Sequence, residues 1–189
     1  MMKKILGIIV LSLLLSGLGY SAETNPDKAL KALKEGGKIV LIRHAFAPGI
    51  EGNIDKKGNE YKQKDCSTQR NLLQEGKDQS ARMGEFFSNN DIKIEKVLSS
   101  PVCRCWETAK YAGWKYKIDK RLTSNIKNKA KVEKLATKYK GDGNLLLITH
   151  MNLIKKLYPW FKVDSGEIVV VDKDLNLIGS IEIPYEFTY

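Results

Sequence analysis

Residues 38–44 read KIVLIRH and residues 144–150 read NLLLITH. Each is an unbroken apolar run rather than an alternating one, the pattern of a strand buried on both faces. Working outward, Lys28 to Leu33 reads as a short helix stopped by Gly36-Gly37. From Glu75 to Asn89 the apolar set Ala81, Met83, Phe86 and Phe87 marks a helix with one core-facing side. Val97 to Ser100 reads as a strand, and Ser100-Pro101 predicts an N-cap and first turn of a helix running to about Tyr111. A further short strand is expected at Ile118, and an amphipathic helix over Lys129 to Tyr139 that ends at Gly141-Asp142-Gly143. Glu167 to Asp172 and Leu177 to Ile183, joined through residues 173–176, form a terminal hairpin. Strands alternating with helices predict an α/β fold: a mostly parallel central sheet, helices on both faces and a C-terminal β-hairpin.

The N-terminus follows a different rule. Lys3 and Lys4 precede an apolar run from Ile5 to Leu15, followed by small residues at Gly19, Ser21 and Ala22. This is the pattern of a cleavable export signal over residues 1–22, with cleavage after Ser21 fitting the small-residue rule. The alternative, a retained anchor, needs roughly 18 or more apolar residues, and Ser16-Gly17 interrupts the run. The expected product is one domain over residues 23–189, periplasmic or secreted, with no stable membrane anchor. It lies in a compartment where disulfides persist. With 32 Lys and Arg against 22 Asp and Glu the chain carries a net charge of +10. That favours anionic ligands, yet the lysines are scattered and aromatics make up only 8% of the chain, which argues against nucleic acid.

The chemistry sits at the ends of the two apolar runs. The chain has only two histidines, His44 and His150, one after each run. Ligands of open α/β sheets bind beyond the carboxyl ends of the strands, so both imidazoles are expected at one rim. Arg43 lies beside the first, and the strand at Val97–Ser100 brings Arg104 to the same rim. Two imidazoles among guanidinium groups suit a metal ion poorly, since no carboxylate or thiolate partner is supplied and the cations oppose it. They suit a phosphoryl group well. Arginine forks pair two phosphate oxygens at once, and nearby positive charge keeps an imidazole neutral and nucleophilic. Taken singly, each residue also has an ordinary reading, a structural histidine or a surface arginine. Their convergence is what points to a phosphate site.

These residues carry a family resemblance. Leu41-Ile42-Arg43-His44-Ala45 resembles the opening Arg-His motif of the histidine phosphatases, the branch that includes phosphoglycerate mutase. Ser99 to Arg104 with Glu107-Thr108-Ala109 is similar to the family's second-arginine motif, and Leu147 to His150 to its second-histidine motif. Asn71 to Gly76 matches the stretch between the first two, and the resemblance runs from about Lys38 to Ile183. It implies that His44 is the nucleophile, that Arg43, Arg104 and His150 bind the phosphate oxygens, and that no cofactor or metal takes part. Cys66 to Leu72 and Cys103-Arg104 resemble an exported subgroup similar to lipopolysaccharide core heptose phosphatases. That implies a small phosphorylated substrate, a cell-envelope sugar phosphate.

One departure from the family pattern matters. Many members carry a proton-donating Glu two residues after an Arg-Leu pair. Here Arg121-Leu122 is followed by Thr123 and Ser124, and a serine hydroxyl cannot supply that acid near neutral pH. Donor candidates are Asp65, Asp55 and Glu51 of the long polar segment, each of which also reads as an ordinary exposed charge. Cys103 and Cys105 lie two apart on a predicted helix and cannot readily pair with each other, so Cys66 can bridge either. The subgroup resemblance implies Cys66–Cys103. The functions in view are an exported phosphomonoesterase, a phosphohistidine protein phosphatase whose imidazole leaving group needs less acid, and a noncatalytic phosphate-binding protein.

Overall fold

The structure, a computed structural model, describes residues 25–48 and 65–187. A six-stranded sheet runs through it in the order β3-β2-β4-β1-β5-β6. The strands are β1 (Ile39–Arg43), β2 (Ile94–Ser99), β3 (Lys117–Ile118), β4 (Asn144–Thr149), β5 (Ile168–Val171) and β6 (Leu177–Ile181). The pairs β1/β4, β2/β4 and β2/β3 are parallel; β5 is antiparallel to both β1 and β6. The sheet is therefore mostly parallel with a C-terminal antiparallel pair, and the hairpin docks through β5 onto β1.

The unbroken apolar runs follow from cover on both faces. Val40, Ile42, Leu146, Ile148, Ile168 and Val170 face a core built with α1 (Pro26–Glu35), α2 (Gln74–Asn89) and α3 (Cys103–Tyr111). The alternate residues Ile39, Leu41, Leu145, Leu147, Val169 and Val171 face α4 (Lys129–Thr137) and α5 (Met151–Leu157). Each of these side chains is fully or almost fully buried. Burial stabilises by about 1.5–3 kcal/mol per large aliphatic residue. Helix α1 begins at Asn25, whose side chain accepts from Lys28 N–H at 2.9 Å, with Pro26 in its first turn. It ends at Gly36 with φ 77°, and a Cβ there would run into the Asp142 carbonyl.

One local reading changes, and one helix, α5, has no counterpart in the sequence reading. The third helix starts at Cys103 with Val102 in the capping position, so Ser100-Pro101 is not its N-cap and first turn. The Ser100 hydroxyl is instead 2.9 Å from His150 Nε2. Helix α5 carries no start signal other than the turn after His150, whose carbonyl receives Leu153 N–H at 3.0 Å. Its buried pair Leu153 and Ile154 and the packed Leu157 supply the amphipathic signal. The export segment, Glu51 and Asp55 lie outside the described residues.

Candidate active site

Strand register places the histidines. Arg43 of β1 pairs with Thr149 of β4 in a parallel ladder, so the next residue of each strand, His44 and His150, emerges side by side. His44 N–H donates to the Thr149 carbonyl at 3.0 Å, and Ser100 N–H donates to the Ile148 carbonyl at 3.0 Å. The ring centroids of His44 and His150 are 5.6 Å apart, and both side chains are buried.

Arg104, in the first turn of α3, joins the two rings. Its Nε donates to His44 Nε2 at 2.9 Å, and its Nη2 lies 3.2 Å from His150 Nδ1. A guanidinium only donates, which assigns the ring protons. His44 carries its proton on Nδ1 and gives it to the Ala45 carbonyl at 2.9 Å, leaving the Nε2 lone pair for chemistry. His150 carries its proton on Nε2 and gives it to Ser100 Oγ. Thr108 braces this arrangement: its hydroxyl donates to the Arg104 carbonyl at 2.7 Å and accepts from Ala45 N–H at 3.0 Å.

The charge balance asks for an anion. Arg43 donates from Nη1 to the Val163 carbonyl at 2.8 Å, while its buried Nε has no hydrogen-bond partner among the described residues. Arg70, half-buried, feels Arg104 and Arg43 as neighbouring like charges. Three guanidinium groups held this close, two of them short of water, are compensated well by a phosphate dianion. Arg70 is a member of this cluster that the motifs did not single out; its signal was its place four residues after Cys66. The cleft it lines with Arg43 has a volume of about 610 Å³ and is also bordered by Phe46, Asp164, Glu182 and Tyr185.

Cys66 and Cys103 form a disulfide with a Cα–Cα distance of 5.7 Å, the pairing the subgroup resemblance implied. It ties the segment bearing Arg70 to the helix bearing Arg104, and Gln69 reinforces it by accepting Cys103 N–H at 2.8 Å. Closing a 37-residue loop stabilises by roughly 4 kcal/mol in the chain-entropy picture. Cys105 is buried, and desolvation pushes its thiol up to about 12, so it stays protonated. Asp65 caps the short turn at Cys66–Thr68, accepting from Ser67 N–H at 3.0 Å and from the Ser67 hydroxyl at 2.6 Å. The acids that line the cleft among the described residues are Asp164 and Glu182, neither of them among the donor candidates from the sequence.

Burial, Arg104 and Arg70 hold His150 down to about 3, and burial followed by Arg104 and His150 holds His44 well below the ordinary histidine range. The folded protein thus refuses protons that the unfolded chain accepts below about pH 6.5. Stability is undiminished by these groups above that value and is lost as pH falls from 6.5 toward 3. The slope is at most about 1.4 kcal/mol per pH unit for each histidine. Urea midpoints measured between pH 7 and 4 are expected to fall steeply for the wild type and less steeply for His150→Gln.

Comparison with known proteins agrees with this fold. Residues 39–128 match the family described as histidine phosphatase superfamily (branch 1). No curated protein matches the chain significantly. Among solved structures, the protein histidine phosphatase SixA complexed with tungstate is similar at a TM-score of 0.55 and 20% identity, covering 76% of this chain and 96% of that one. TTHB049 from Thermus thermophilus is similar at a TM-score of 0.55 and 15% identity, covering 76% of this chain and 98% of that one. At these identities the likeness speaks for the fold. The family match runs from β1 to Asn128, and both histidines and Arg104 are drawn into one hydrogen-bonded cluster; over that stretch the chain is similar to the histidine phosphatase superfamily.

Proposed function

We propose that this protein is an exported phosphomonoesterase that works through a phosphohistidine on His44. The observation that carries the reading is the His44 ring itself: Nδ1–H tied to the Ala45 carbonyl, Nε2 unprotonated, and Arg104 and Arg43 acting on it, with Arg70 next to both. In the first half-reaction the Nε2 lone pair forms a bond to phosphorus as the P–O bond to the leaving group breaks. The leaving alcohol departs with the electron pair and takes up a proton. In the second, water attacks the phosphohistidine, the N–P bond breaks, and inorganic phosphate leaves with His44 restored. Arg104 exchanges its contacts with the imidazoles for phosphate oxygens, and the transferring group's negative charge meets guanidinium donors already in place. His150, with Ser100 holding Nε2–H, turns Nδ1 toward the same oxygens and takes up a proton there as the dianion arrives.

The proposed substrate is a small phosphate ester, with a cell-envelope sugar phosphate as the class the subgroup resemblance suggests. Export rests on the Lys3-Lys4 and apolar pattern of residues 1–22 and is supported by the disulfide. A second reading, phosphohistidine protein phosphatase, is favoured by Ser124 standing where a donor Glu is usual and by the fold shared with the protein histidine phosphatase SixA. Leaving-group dependence separates the two. If Asp65 supplies the proton, Asp65→Asn is expected to slow a sugar phosphate at least tenfold more than an aryl phosphate, whose phenolate leaves with little protonation. An unmoved ratio removes Asp65 from the reaction. Efficient turnover of phosphohistidine alone favours the second reading, and one burst of phosphate without turnover defeats both.

A further inference from the structure

The cleft has a second wall that phosphate binding does not use. After β6 the chain turns back, and Glu182, Pro184 and Tyr185 line the same cleft as Arg43 and Arg70. Gln79 of α2 holds this return in place and is completely buried. Its Nε2 donates to the Ser165 carbonyl at 2.7 Å and the Ile183 carbonyl at 2.5 Å, while its Oε1 accepts from Phe46 N–H at 2.8 Å. One side chain therefore joins the segment after His44, the turn before β5 and the C-terminal return. Gly166, with φ 78°, makes room for it, since a Cβ there would collide with the Gln79 amide. Arg82 adds a bond from Nη2 to the Pro184 carbonyl at 2.6 Å.

This wall presents aromatic surface. The Phe46 and Tyr185 rings stack with centroids 4.1 Å apart and planes 13° from parallel, and Phe187 meets both edge-on. Tyr185 is 37% exposed and Phe187 53%, so a ring system stands in water beside an anion site. The cleft carries both signs of charge, Arg43 and Arg70 against Asp164 and Glu182, and Asp164 lies close enough to Arg43 to act on it as an opposite charge. Asp164 is paired at the surface with Lys162 at 3.3 Å, whereas Glu182 has no ion-pair partner among the described residues.

Resting on the phosphatase reading above, we propose that Phe46, Tyr185 and Glu182 form a leaving-group subsite selecting phosphoryl donors, esters or N-phosphoryl compounds, whose leaving group is an uncharged or cationic ring, with Gln79 as its positioning residue. With phosphate held at the arginines, the attached group extends along the cleft against the ring pair. A flat or cyclic group displaces water from that surface and gains dispersion contact with it. A leaving group bearing its own carboxylate or second phosphate meets Glu182, which no cation pairs among the described residues, and is rejected by like charge. A sugar ring and an imidazole both meet the requirement.

The test compares kcat/KM for phenyl phosphate, 4-carboxyphenyl phosphate and phosphoramidate, the last having no ring. Tyr185→Ala is expected to lower the ratio of phenyl phosphate to phosphoramidate about tenfold, through KM. Glu182→Gln is expected to raise the ratio of 4-carboxyphenyl to phenyl phosphate about fivefold. Gln79→Ala is expected to reproduce the Tyr185 change in KM, with vanadate binding reporting that the phosphate end is folded. Should Gln79→Ala fail to fold, the Tyr185 and Glu182 ratios decide. Glucose 6-phosphate and 1-phosphoimidazole separate a sugar from an imidazole source, and the Tyr185→Ala loss falls on the better of the two. Both ratios at their wild-type values overturn the subsite alone. No turnover of any probe by the wild type overturns the phosphatase reading and the subsite with it.

Discussion

Replacing His44 with alanine is expected to abolish phosphate release from every substrate the wild type turns over, a loss on the order of ten-thousandfold or more. The reason is geometric. His44 Nε2 is the imidazole nitrogen whose lone pair is held among the arginines, and the other ring, His150, has its Nε2 committed to Ser100. The His150 Nδ1 lone pair also faces Arg104, but the proposed mechanism sets it against a phosphate oxygen rather than phosphorus, and the nearby Cys105 remains a buried thiol. His150→Ala is expected to differ, leaving slow phosphorylation of His44 because it removes a stabilising group but keeps the attacking one. Trapping acid-labile, base-stable phosphate on the wild type and on His150→Ala, but not on His44→Ala, checks the assignment. Undiminished turnover by His44→Ala rules out the phosphohistidine route.

Arg104→Lys is expected to lower kcat/KM by about a hundredfold or more, despite conserving charge. In the resting site the Arg104 fork spans both imidazoles, with Nε on His44 and Nη2 near His150. The same planar fork can span two oxygens of the transferring phosphoryl group, whereas a lysine ammonium offers one centre on a flexible stem. Losing the fork also releases the constraint on which nitrogen of each imidazole is unprotonated. Steady-state kinetics with an aryl phosphate, together with vanadate affinity, measures the effect. Near-normal values for both would place Arg104 outside the reaction.

How much of this was legible in the sequence depends on the range of the interaction. KIVLIR and NLLLIT declare themselves as buried strands because a run apolar at every position needs cover on both faces, and the core residues on each side of the sheet show that cover. His44, His150, Arg43 and Arg104 were readable because each lies next to a strand end or helix start, and the residue after a strand end has a defined place in an α/β sheet. Glu51 and Asp55 fall outside the described residues, so for the donor question the sequence alone speaks of them.

Other features have no local signature. Whether Ser100 caps a helix or holds His150 is decided by the register of β2 against β4, which brings Ser100 alongside a residue fifty positions away. The insertion of β5 against β1 follows from pairing across the sheet, and a hairpin motif carries no information on which strand it docks. Arg70 joins the cluster because its segment is drawn to α3 by the disulfide and by Gln69. Gln79 sits among polar residues of an amphipathic helix, and its role exists only where segments 46, 165 and 183 meet around it. Periodicity and motif spacing therefore determined the strands, most of the helices and the candidate phosphate-binding groups, since those depend on neighbours in the chain. The pairing of ring nitrogens, the third guanidinium and the aromatic wall depend on contacts between residues tens of positions apart, and only tertiary packing brings those together.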